Sequence, residues 1–389
     1  MSQFLGYEEP WLRARHAIHT AKEINHQPSL WRQLADSIPH TPGLQAFLEP
    51  ILATPGLRII LTGAGTSAFV GDTAAPFIQA AHSYHVAAIP TTDLVSNPSD
   101  YLDPDSPTLL ISYARSGNSP ESVAAVTLAD QQLQNSYHLF LTCNPNGQLS
   151  GIAADHDNAF CLLMPEGSND QSFAMTSSFS CMLMATLALL GDDDPAVLRS
   201  TIHTVAERCE EKLCHWQAPV KALAKQPYHR LIVLGSGGFA GLAREASLKS
   251  LELSAGQVMT AFDSSLGFRH GPKFTINKQA MVIQFLSNDP YTRQYDLDLY
   301  REIQTDNQTG CHLALTGSAL NDETVFELGL PDLSDAWLCF PYIMFSQMLA
   351  FEKSLQLGLG PDNPCPTGEV NRVVQGVTIH PYPYQPKQP

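Results

Sequence analysis

Two segments of the chain begin alike, and this repeat limits the folds that the sequence can adopt. Residues 58–68 read RIILTGAGTSA and residues 230–240 read RLIVLGSGGFA, so each is a short β-branched run that ends in a glycine turn. A helical pattern follows each turn, which makes each segment the start of a strand–helix unit in a parallel sheet. The repeat therefore predicts two doubly wound α/β domains in tandem.

Further apolar runs extend the repeat in both halves of the chain. After the first turn, the candidate strands are VAAIP (86–90), TLLISYA (108–114), HLFLTC (138–143) and AFCLLMP (159–165). After the second turn, they are AMVIQFLS (280–287), CHLALTG (311–317) and AWLCFP (336–341). Uninterrupted apolar strands are typical of a sheet that is buried on both faces. A long apolar helix is predicted at the end of each half, at 172–190 and at 342–359.

The length of 389 residues and the hydrophobic content of 44 % suit more than one domain with a substantial core. We expect a helical lead-in over residues 1–44 and a first domain over residues 45–205. A second domain with a C-terminal tail is expected over residues 206–389. The predicted class is thus α/β, with two parallel sheets and a short N-terminal helical segment.

Charge and composition argue against several classes of protein. The net charge is −16 and no cluster of Lys and Arg occurs, so we expect no nucleic-acid partner. No apolar run reaches about 18 residues, and the N-terminus lacks the order of a signal peptide, so we expect no membrane association. The eight cysteines form no CxxC pair and lie mostly in apolar runs, which indicates reduced thiols in a cytoplasmic protein.

Neither glycine turn matches the fingerprint of a dinucleotide-binding site. The first copy, GAGTSAFVG, lacks the third glycine, and GSGGFAG fits only loosely. Asp93 lies further along than the acidic residue that usually follows by about 20 positions. No HxH, HExxH or paired-Asp set suggests metal ligands. We therefore expect neither a cofactor nor a metal.

Hydroxyl and amide side chains concentrate where predicted strands of the first half lead into helices. They are Thr66, Ser67, Ser116, Asn118, Ser119 and Thr176. Loops at the carboxyl ends of parallel strands converge on one crevice, and helix N-termini there offer unpaired N–H groups to an anion. Single residues of this kind could be ordinary N-caps, but the runs GTS and SGNS favour a phosphate monoester. Arg115, in the second loop, either assists or lies on the surface.

A later stretch, REASLKSLELSAG (244–256), carries three charged side chains on one face of a predicted helix. At about 100° per residue, Glu245, Lys249 and Glu252 form a single stripe. The alternative is a solvated ion pair with a spare glutamate. His270 follows in RHGP, where the Gly-Pro pair indicates a turn. A histidine there could transfer protons near neutral pH. The alternative is an ordinary surface histidine, since the chain has fourteen histidines in all.

Together these motifs resemble a known family. GAGTSA, SGNSPES and TCNPNGQL resemble the sugar isomerase (SIS) domain, and REASLKSLELSAG and RHGP extend the resemblance over roughly residues 45 to 380. The chain is similar to the isomerase half of glucosamine-6-phosphate synthase. It is most similar to the galactosamine-6-phosphate deaminase/isomerases, also described as tagatose-6-phosphate ketose/aldose isomerases.

The resemblance implies roles for the charged residues. Glu252 matches the catalytic glutamate, while Glu245 and Lys249 match residues that line the site and tune or orient it. His270 matches a histidine that helps open the sugar ring and can reach the site of a neighbouring subunit, which implies a homodimer. Glucosamine-6-phosphate synthase forms a Schiff base through a C-terminal lysine, but the matching position here is Gln375, and an amide cannot form that imine.

Three functions stay open on the sequence. The first is conversion of galactosamine 6-phosphate to tagatose 6-phosphate and ammonia by proton transfer from C2 to C1. The second is ketose/aldose isomerisation of a neutral sugar phosphate such as tagatose 6-phosphate, with the same Glu252. The third is a non-catalytic sugar-phosphate sensor, which predicts a helix-turn-helix and a basic face that the sequence does not show. Synthesis from glutamine is not expected, because residues 1–44 are too short for a glutaminase domain and no cysteine follows Met1.

Overall fold

The structure is a computed structural model that describes residues 2–374 and 376–383; Gln375 lies outside the described residues. The strands are β1 (Gln3–Phe4), β2 (Tyr7–Glu8), β3 (Arg58–Thr62), β4 (His85–Ala88), β5 (Thr108–Ala114), β6 (Ser136–Thr142), β7 (Ala159–Leu163), β8 (Arg230–Gly235), β9 (Met259–Asp263), β10 (Ala280–Phe285), β11 (Cys311–Thr316) and β12 (Val325–Glu327). The helices are α1 (Glu9–Arg13), α2 (Ile18–Ser37), α3 (Leu44–Leu52), α4 (Thr66–Ala81), α5 (Thr91–Ser96), α6 (Pro98–Tyr101), α7 (Pro120–Gln132), α8 (Gln148–Asp155), α9 (Ser177–Leu190), α10 (Pro195–His215), α11 (Gln217–Ala224), α12 (Gly238–Leu253), α13 (Thr292–Asp306) and α14 (Asp335–Gln356). Short 3₁₀ helices lie at Ile38–His40, Gly267–His270 and Pro272–Thr275.

The two halves of the chain form parallel sheets with the same strand order. The first sheet has the order β4-β3-β5-β6-β7 and the second has the order β9-β8-β10-β11-β12. Counted from the first strand of each half, both orders read 2-1-3-4-5, which is the flavodoxin-like doubly wound arrangement. The predicted fold class is therefore confirmed, including the helical segment at the N-terminus. The predicted boundaries at residues 45 and 206 remain predictions, and the second of them falls within α10.

One predicted strand was wrong. Residues 336–341, AWLCFP, form the first turns of α14 instead of a strand, with Pro341 inside the helix. Periodicity cannot separate a buried strand from a helix that is apolar on every face, and the side chains of α14 are buried almost throughout. The second sheet is completed instead by the short edge strands β9 and β12, whose residues are only partly buried and form no apolar run.

Helices α4 and α12 hold the two sheets together, and their packing depends on Gly241. A Cβ atom on Gly241 would lie 2.5 Å from the main-chain carbon of Asp72 and 2.6 Å from the nitrogen of Thr73. The side chain of Arg244, one turn further along α12, donates a 2.8 Å hydrogen bond to the Asp72 carboxylate. The missing side chain at position 241 therefore lets the backbones of the two domains approach closely.

A continuous apolar core runs through both halves, and the N-terminal helix α2 is part of it. Buried side chains of this core come from β3, α9, α12 and α14. Trp31 of α2 is fully buried, donates a 3.0 Å hydrogen bond to the Ser180 hydroxyl and lies edge-on to Phe340. The lead-in segment is thus packed between the domains. None of the helices in the described ranges has the length and apolar character needed to cross a bilayer.

Candidate active site

The hydroxyl-rich loops meet where the strand order of the first sheet reverses, between β3 and β5. Ligands of open α/β sheets bind at this kind of position. A cavity of about 110 Å³ lies there, and its wall includes Ser67, Ser116, Ser119, Ser122 and Arg115. Residues 372–374 of the C-terminal tail form part of the same wall.

The loop after β5 is shaped by its own polar side chains. Gly117 has a φ of 65°, a left-handed conformation that favours glycine. The Ser119 hydroxyl caps α7 by accepting a 3.3 Å hydrogen bond from the Ser122 N–H. Asn118 is exposed, and its side-chain oxygen accepts a 2.9 Å hydrogen bond from the Gln148 N–H at the start of α8. Ser119 is therefore both an N-cap and a cavity residue, whereas Asn118 orders the loop.

The loop after β3 connects the cavity to the second domain. Ser67 is buried and lines the cavity. Thr66, the first residue of α4, is also buried, and its hydroxyl oxygen accepts a 2.9 Å hydrogen bond from the Lys249 ammonium group. The two neighbouring residues thus face different partners, one the cavity and the other the charged stripe on α12.

The three charged residues of α12 are brought together in the interior, which excludes a solvated ion pair. Lys249 and Glu245 are 0 % exposed, and the Glu252 side chain is 22 % exposed. The Lys249 nitrogen lies 2.5 Å from an oxygen of Glu252 and 3.5 Å from an oxygen of Glu245. Glu252 is therefore the member of the stripe that a ligand can reach, and Lys249 is its buried cationic partner.

Burial sets the charges of this group. It raises the pKa of Glu245 to about 8, and the nearby Lys249 charge only partly offsets this effect. Burial also opposes the charge of Lys249, but the carboxylates of Glu245 and Glu252 outweigh it and raise the pKa of the ammonium group. At neutral pH Lys249 is thus charged and paired with Glu252, while Glu245 largely holds its proton.

Arg115 is an interior residue and not a surface one, since it is only 6 % exposed. Its guanidinium group donates to the carbonyl oxygens of Ser172 (3.3 Å), Phe173 (3.1 Å) and Arg372 (2.6 Å). Burial lowers the pKa of Arg115, and Glu252 is one of the carboxylates whose charge opposes this. Glu252 therefore lies within electrostatic range of the cavity.

Thr176 lies at the N-terminus of α9, which the chain's own Asp170 already caps. The Asp170 carboxylate accepts hydrogen bonds from the main-chain N–H groups of Thr176 (2.9 Å), Ser177 (3.1 Å) and Ser178 (2.9 Å). The Thr176 hydroxyl is fully buried and donates to the same carboxylate at 3.3 Å. A carboxylate thus occupies the position that an anionic ligand would take at this helix end.

His270 is exposed at the end of the 3₁₀ helix Gly267–His270. It is not part of the described wall of the cavity, which the structure builds from the first domain and the tail. Sequence reasoning also missed Asp170, Arg372 and Ser122. Only Ser122, inside the SGNSPES run, had a local signal that could have revealed it.

The equivalent position in the second sheet, between β8 and β10, is filled by the side chain of Asp296. Its carboxylate accepts hydrogen bonds from the hydroxyls of Ser236 (2.7 Å) and Ser265 (2.5 Å) and from the Ser287 N–H (3.0 Å). These three residues follow β8, β9 and β10. The first sheet thus has a cavity at its crevice, and the second has a buried carboxylate in the corresponding place.

Comparison with known proteins agrees with this architecture. The model of the SIS domain matches residues 51–191. The D-galactosamine-6-phosphate deaminase AgaS of Shewanella sp. (strain ANA-3) is 47 % identical over 369 residues, which cover 94 % of this chain and 92 % of that protein.

Solved structures give the same result. The crystal structure of tagatose-6-phosphate ketose/aldose isomerase from Escherichia coli is 43 % identical, with a TM-score of 0.87 and coverage of 94 % of this chain and 97 % of that one. A crystal structure from Clostridium novyi NT reaches a TM-score of 0.94 at 42 % identity and covers 98 % of this chain and all of its own. The resemblance inferred from the motifs is confirmed, and the chain belongs to the family of the AgaS D-galactosamine-6-phosphate deaminases, which carry the SIS fold.

Proposed function

We propose that this protein is an enzyme that converts galactosamine 6-phosphate and water to tagatose 6-phosphate and ammonia. The observation that carries the proposal is the pairing of Glu252 with Lys249, which is itself bonded to Thr66 beside the hydroxyl-lined cavity. A carboxylate base and a phosphate-binding loop are thereby held in one rigid unit. The name of the AgaS relatives supports the choice of an amino sugar phosphate as substrate.

The cavity of the first domain would hold the phosphate group. Ser67, Ser116, Ser119 and Ser122 supply hydroxyl donors around it, and the N-termini of α4 and α7 supply partial positive charge. Arg115 adds a full positive charge while its hydrogen bonds hold the surrounding main chain. Of the other residues expected to bind phosphate, Asn118 would shape the loop. Thr66 would act through its hydrogen bond from Lys249. Thr176 would not bind phosphate, because its hydroxyl already donates to the Asp170 carboxylate.

Glu252 would move the proton between the reacting carbons. It takes the proton from C2 of the open-chain aldose and returns it at C1. The C1 aldehyde becomes a CH2OH group and the C2 amine becomes an imine, as one proton passes from the nitrogen to the C1 oxygen. Water then adds to the imine carbon, and ammonia leaves to give the ketose. Lys249 places its ammonium nitrogen 2.5 Å from an oxygen of Glu252 and so orients that carboxylate. Because the pKa of Lys249 is raised, its nitrogen stays protonated and cannot act as a Schiff-base nucleophile.

Ring opening would fall to His270 of a second copy of the chain. Residues 259–274 of the second domain, the segment that contains His270, expose several large apolar side chains, of which Phe274 is 95 % exposed. The others are Met259, Phe262 and Leu266. Apolar side chains grouped in this way usually mark an interaction site. We therefore propose a homodimer in which this surface is covered and His270 passes a proton between the ring oxygen and the C1 hydroxyl in the partner's site.

The eight unbridged cysteines of the described chain support a reducing, cytoplasmic setting.

A second candidate is isomerisation of tagatose 6-phosphate without loss of ammonia, and the name of the Escherichia coli structure favours it. It would use Glu252 in the same way. A sensor is disfavoured, because a ligand-binding module has no need for a buried ammonium group that orients a reachable carboxylate.

The test is ammonia release by the purified protein from galactosamine 6-phosphate and, separately, from glucosamine 6-phosphate. Tagatose 6-phosphate is the third substrate, with its aldose product measured. The Glu207→Gln variant, changed at an exposed position, is purified and assayed in the same way and should match the wild type. Ammonia from galactosamine 6-phosphate supports the proposal. Interconversion of tagatose 6-phosphate without any ammonia from either amino sugar supports the second candidate, and inactivity on all three overturns both.

A further inference from the structure

The C-terminal residues that wall the cavity belong to a segment with few anchors. We call residues 362–374 the tail strap. At its start, Asp362 accepts hydrogen bonds from the main-chain N–H (2.8 Å) and hydroxyl (2.9 Å) of Thr20, and its carbonyl accepts one from the Phe173 N–H (2.9 Å). Near its end, Val370 and Val374 are more than half exposed. The strap therefore contributes little to the apolar core, and its position at the cavity depends on polar contacts.

Two arginines supply those contacts, one donating hydrogen bonds to the strap and the other donating from the strap to the rest of the protein. Arg115 donates to the carbonyl oxygen of Arg372 in the strap, and also to the carbonyls of Ser172 and Phe173. Arg372 in turn donates through Nε to the carbonyl oxygen of Asp170 (3.0 Å) and through Nη2 to the side chain of Asn169 (3.2 Å). Both arginines contribute to the cavity wall, and both guanidinium groups donate hydrogen bonds to the loop of residues 169–173.

The same loop is held from behind by Glu23 of α2. The Glu23 carboxylate is almost fully buried and accepts hydrogen bonds from the main-chain N–H groups of Gln171 (2.5 Å) and Ser172 (3.2 Å), and from the Ser172 hydroxyl. Burial, together with the neighbouring Asp170 charge, raises the pKa of Glu23 to about 7. A buried carboxylate in this position is costly unless its hydrogen bonds are made. The loop is thus held by Glu23 on one side, and on the other side it accepts hydrogen bonds from the two arginines.

We propose that Glu23, Arg115 and Arg372 are positioning residues that hold the tail strap against the phosphate end of the substrate. Glu23 does not line the cavity wall described above, so it acts through the loop of residues 169–173 and through Arg115. We call this chain of contacts, from Glu23 through the loop of residues 169–173 to the two arginines, the relay. When the relay is intact, residues 372–374 close one side of the cavity. When it is broken, that side opens to water. The proposal rests on the phosphate site proposed above and gives the N-terminal helix a role in substrate binding.

The test is the Glu23→Gln variant, in which one carboxylate oxygen is replaced by an N–H donor that opposes the Ser172 N–H. We expect KM for the sugar phosphate and the inhibition constant of inorganic phosphate to rise about tenfold, as for loss of one charge-assisted hydrogen bond. We expect kcat to change little and trypsin to cut the bond after Arg372 faster than in the wild type. Thermal stability should fall, because the buried amide donor faces the Ser172 N–H. Glu166→Gln is the matched control, because Glu166 lies in the preceding turn, is exposed and should change none of these.

Arg372→Lys and Arg115→Lys test the same relay if Glu23→Gln does not fold. A lysine keeps the charge but cannot reproduce the two-directional donation of a guanidinium group, so each should raise KM and speed cleavage of the strap. Unchanged KM and unchanged cleavage in folded variants would overturn the proposal, as would a loss of stability and kcat with KM unmoved. Protection of the wild-type Arg372 bond by inorganic phosphate needs no turnover. It therefore supports the relay even if ammonia release fails, and its absence would overturn the link to phosphate.

Discussion

The Lys249 ammonium nitrogen lies 2.9 Å from the Thr66 hydroxyl oxygen, so a buried hydrogen bond crosses from the second domain to the first at the candidate site. Thr66 begins α4 beside the cavity, and Lys249 lies on α12 with its other contact to Glu252. This contact thus helps to fix the distance between the proposed base and the phosphate loop, together with the packing of α4 on α12 at Gly241.

Replacing Thr66 with Val should destabilise the protein, because the buried ammonium group loses an acceptor while the shape of the side chain is kept. The expected cost is about 1.5–3 kcal/mol in the free energy of unfolding, measured by urea denaturation. Thr127→Val is the control, since the Thr127 hydroxyl is exposed and bonds only within its own helix, to the Val123 carbonyl. Equal stability of the two variants would show that the contact between the domains contributes nothing.

Gly241→Ala should force α4 and α12 apart, because the new methyl group would meet the backbone of Asp72 and not a flexible side chain. We expect a loss of about 1–3 kcal/mol of stability together with reduced activity, as the Lys249–Thr66 contact is strained. Gly151→Ala on the exposed face of α8 meets no atom within 4 Å, so it should stabilise by about 0.5–1 kcal/mol. A Gly241→Ala protein as stable as the wild type would contradict this view of the domain contact.

Glu245 should make stability depend on pH in a defined window. Its pKa is about 8 in the folded protein against 4.5 as the ordinary value, so the folded state keeps a proton that the unfolded chain releases. This contribution is fully present below pH 4.5 and is lost as the pH rises through 8.

Glu245→Gln cannot ionise, so the stability of the wild type should fall relative to that of the variant across this range. The slope should be on the order of 1 kcal/mol per pH unit. Melting curves measured from pH 5 to pH 9 check this, with the exposed Glu49→Gln as the control. Parallel curves for the wild type and Glu245→Gln would contradict the burial argument.

Asp296→Ser should turn the filled crevice of the second sheet into a weak anion site. The substitution removes the carboxylate but leaves the hydroxyls of Ser236 and Ser265 and the Ser287 N–H pointing at the vacated position. The variant should be less stable than the wild type, and inorganic phosphate should raise its Tm more than it raises that of the wild type. Asp298→Ser, an exposed position on the same helix, should respond to phosphate as the wild type does. Identical responses of all three proteins would count against the equivalence of the two crevices.

The central strands could be predicted because their sequences are largely apolar. β3, β5, β8, β10 and β11 are mostly buried on both faces and stand out as short apolar runs. The edge strands β9 and β12 are only partly buried and gave no such signal. The start of α14 was misread for the opposite reason, since a helix buried on every side resembles a strand in a short window.

The candidate site was predictable only where its residues are close in sequence. The stripe of Glu245, Lys249 and Glu252 follows from helical geometry, and the loop SGNS follows from its composition. The partners of Arg115 lie 57 and 257 positions away in the sequence. Only the folded chain therefore reveals that its guanidinium group donates hydrogen bonds to main-chain carbonyl oxygens. The capping of α9 by Asp170 likewise depends on a loop whose path no local pattern indicates.

We propose that Glu252, held by Lys249, transfers the proton between C2 and C1 of a sugar phosphate. The most direct measurement is ammonia release from galactosamine 6-phosphate by Glu252→Gln, compared with the wild type at equal substrate occupancy. The affinity for inorganic phosphate is measured on the same samples. We expect phosphate to bind equally well to both proteins, and the rate of the variant to fall by about 10²–10⁴-fold, as for loss of a general base. Ammonia release by Glu252→Gln at the wild-type rate would show that Glu252 is not the base.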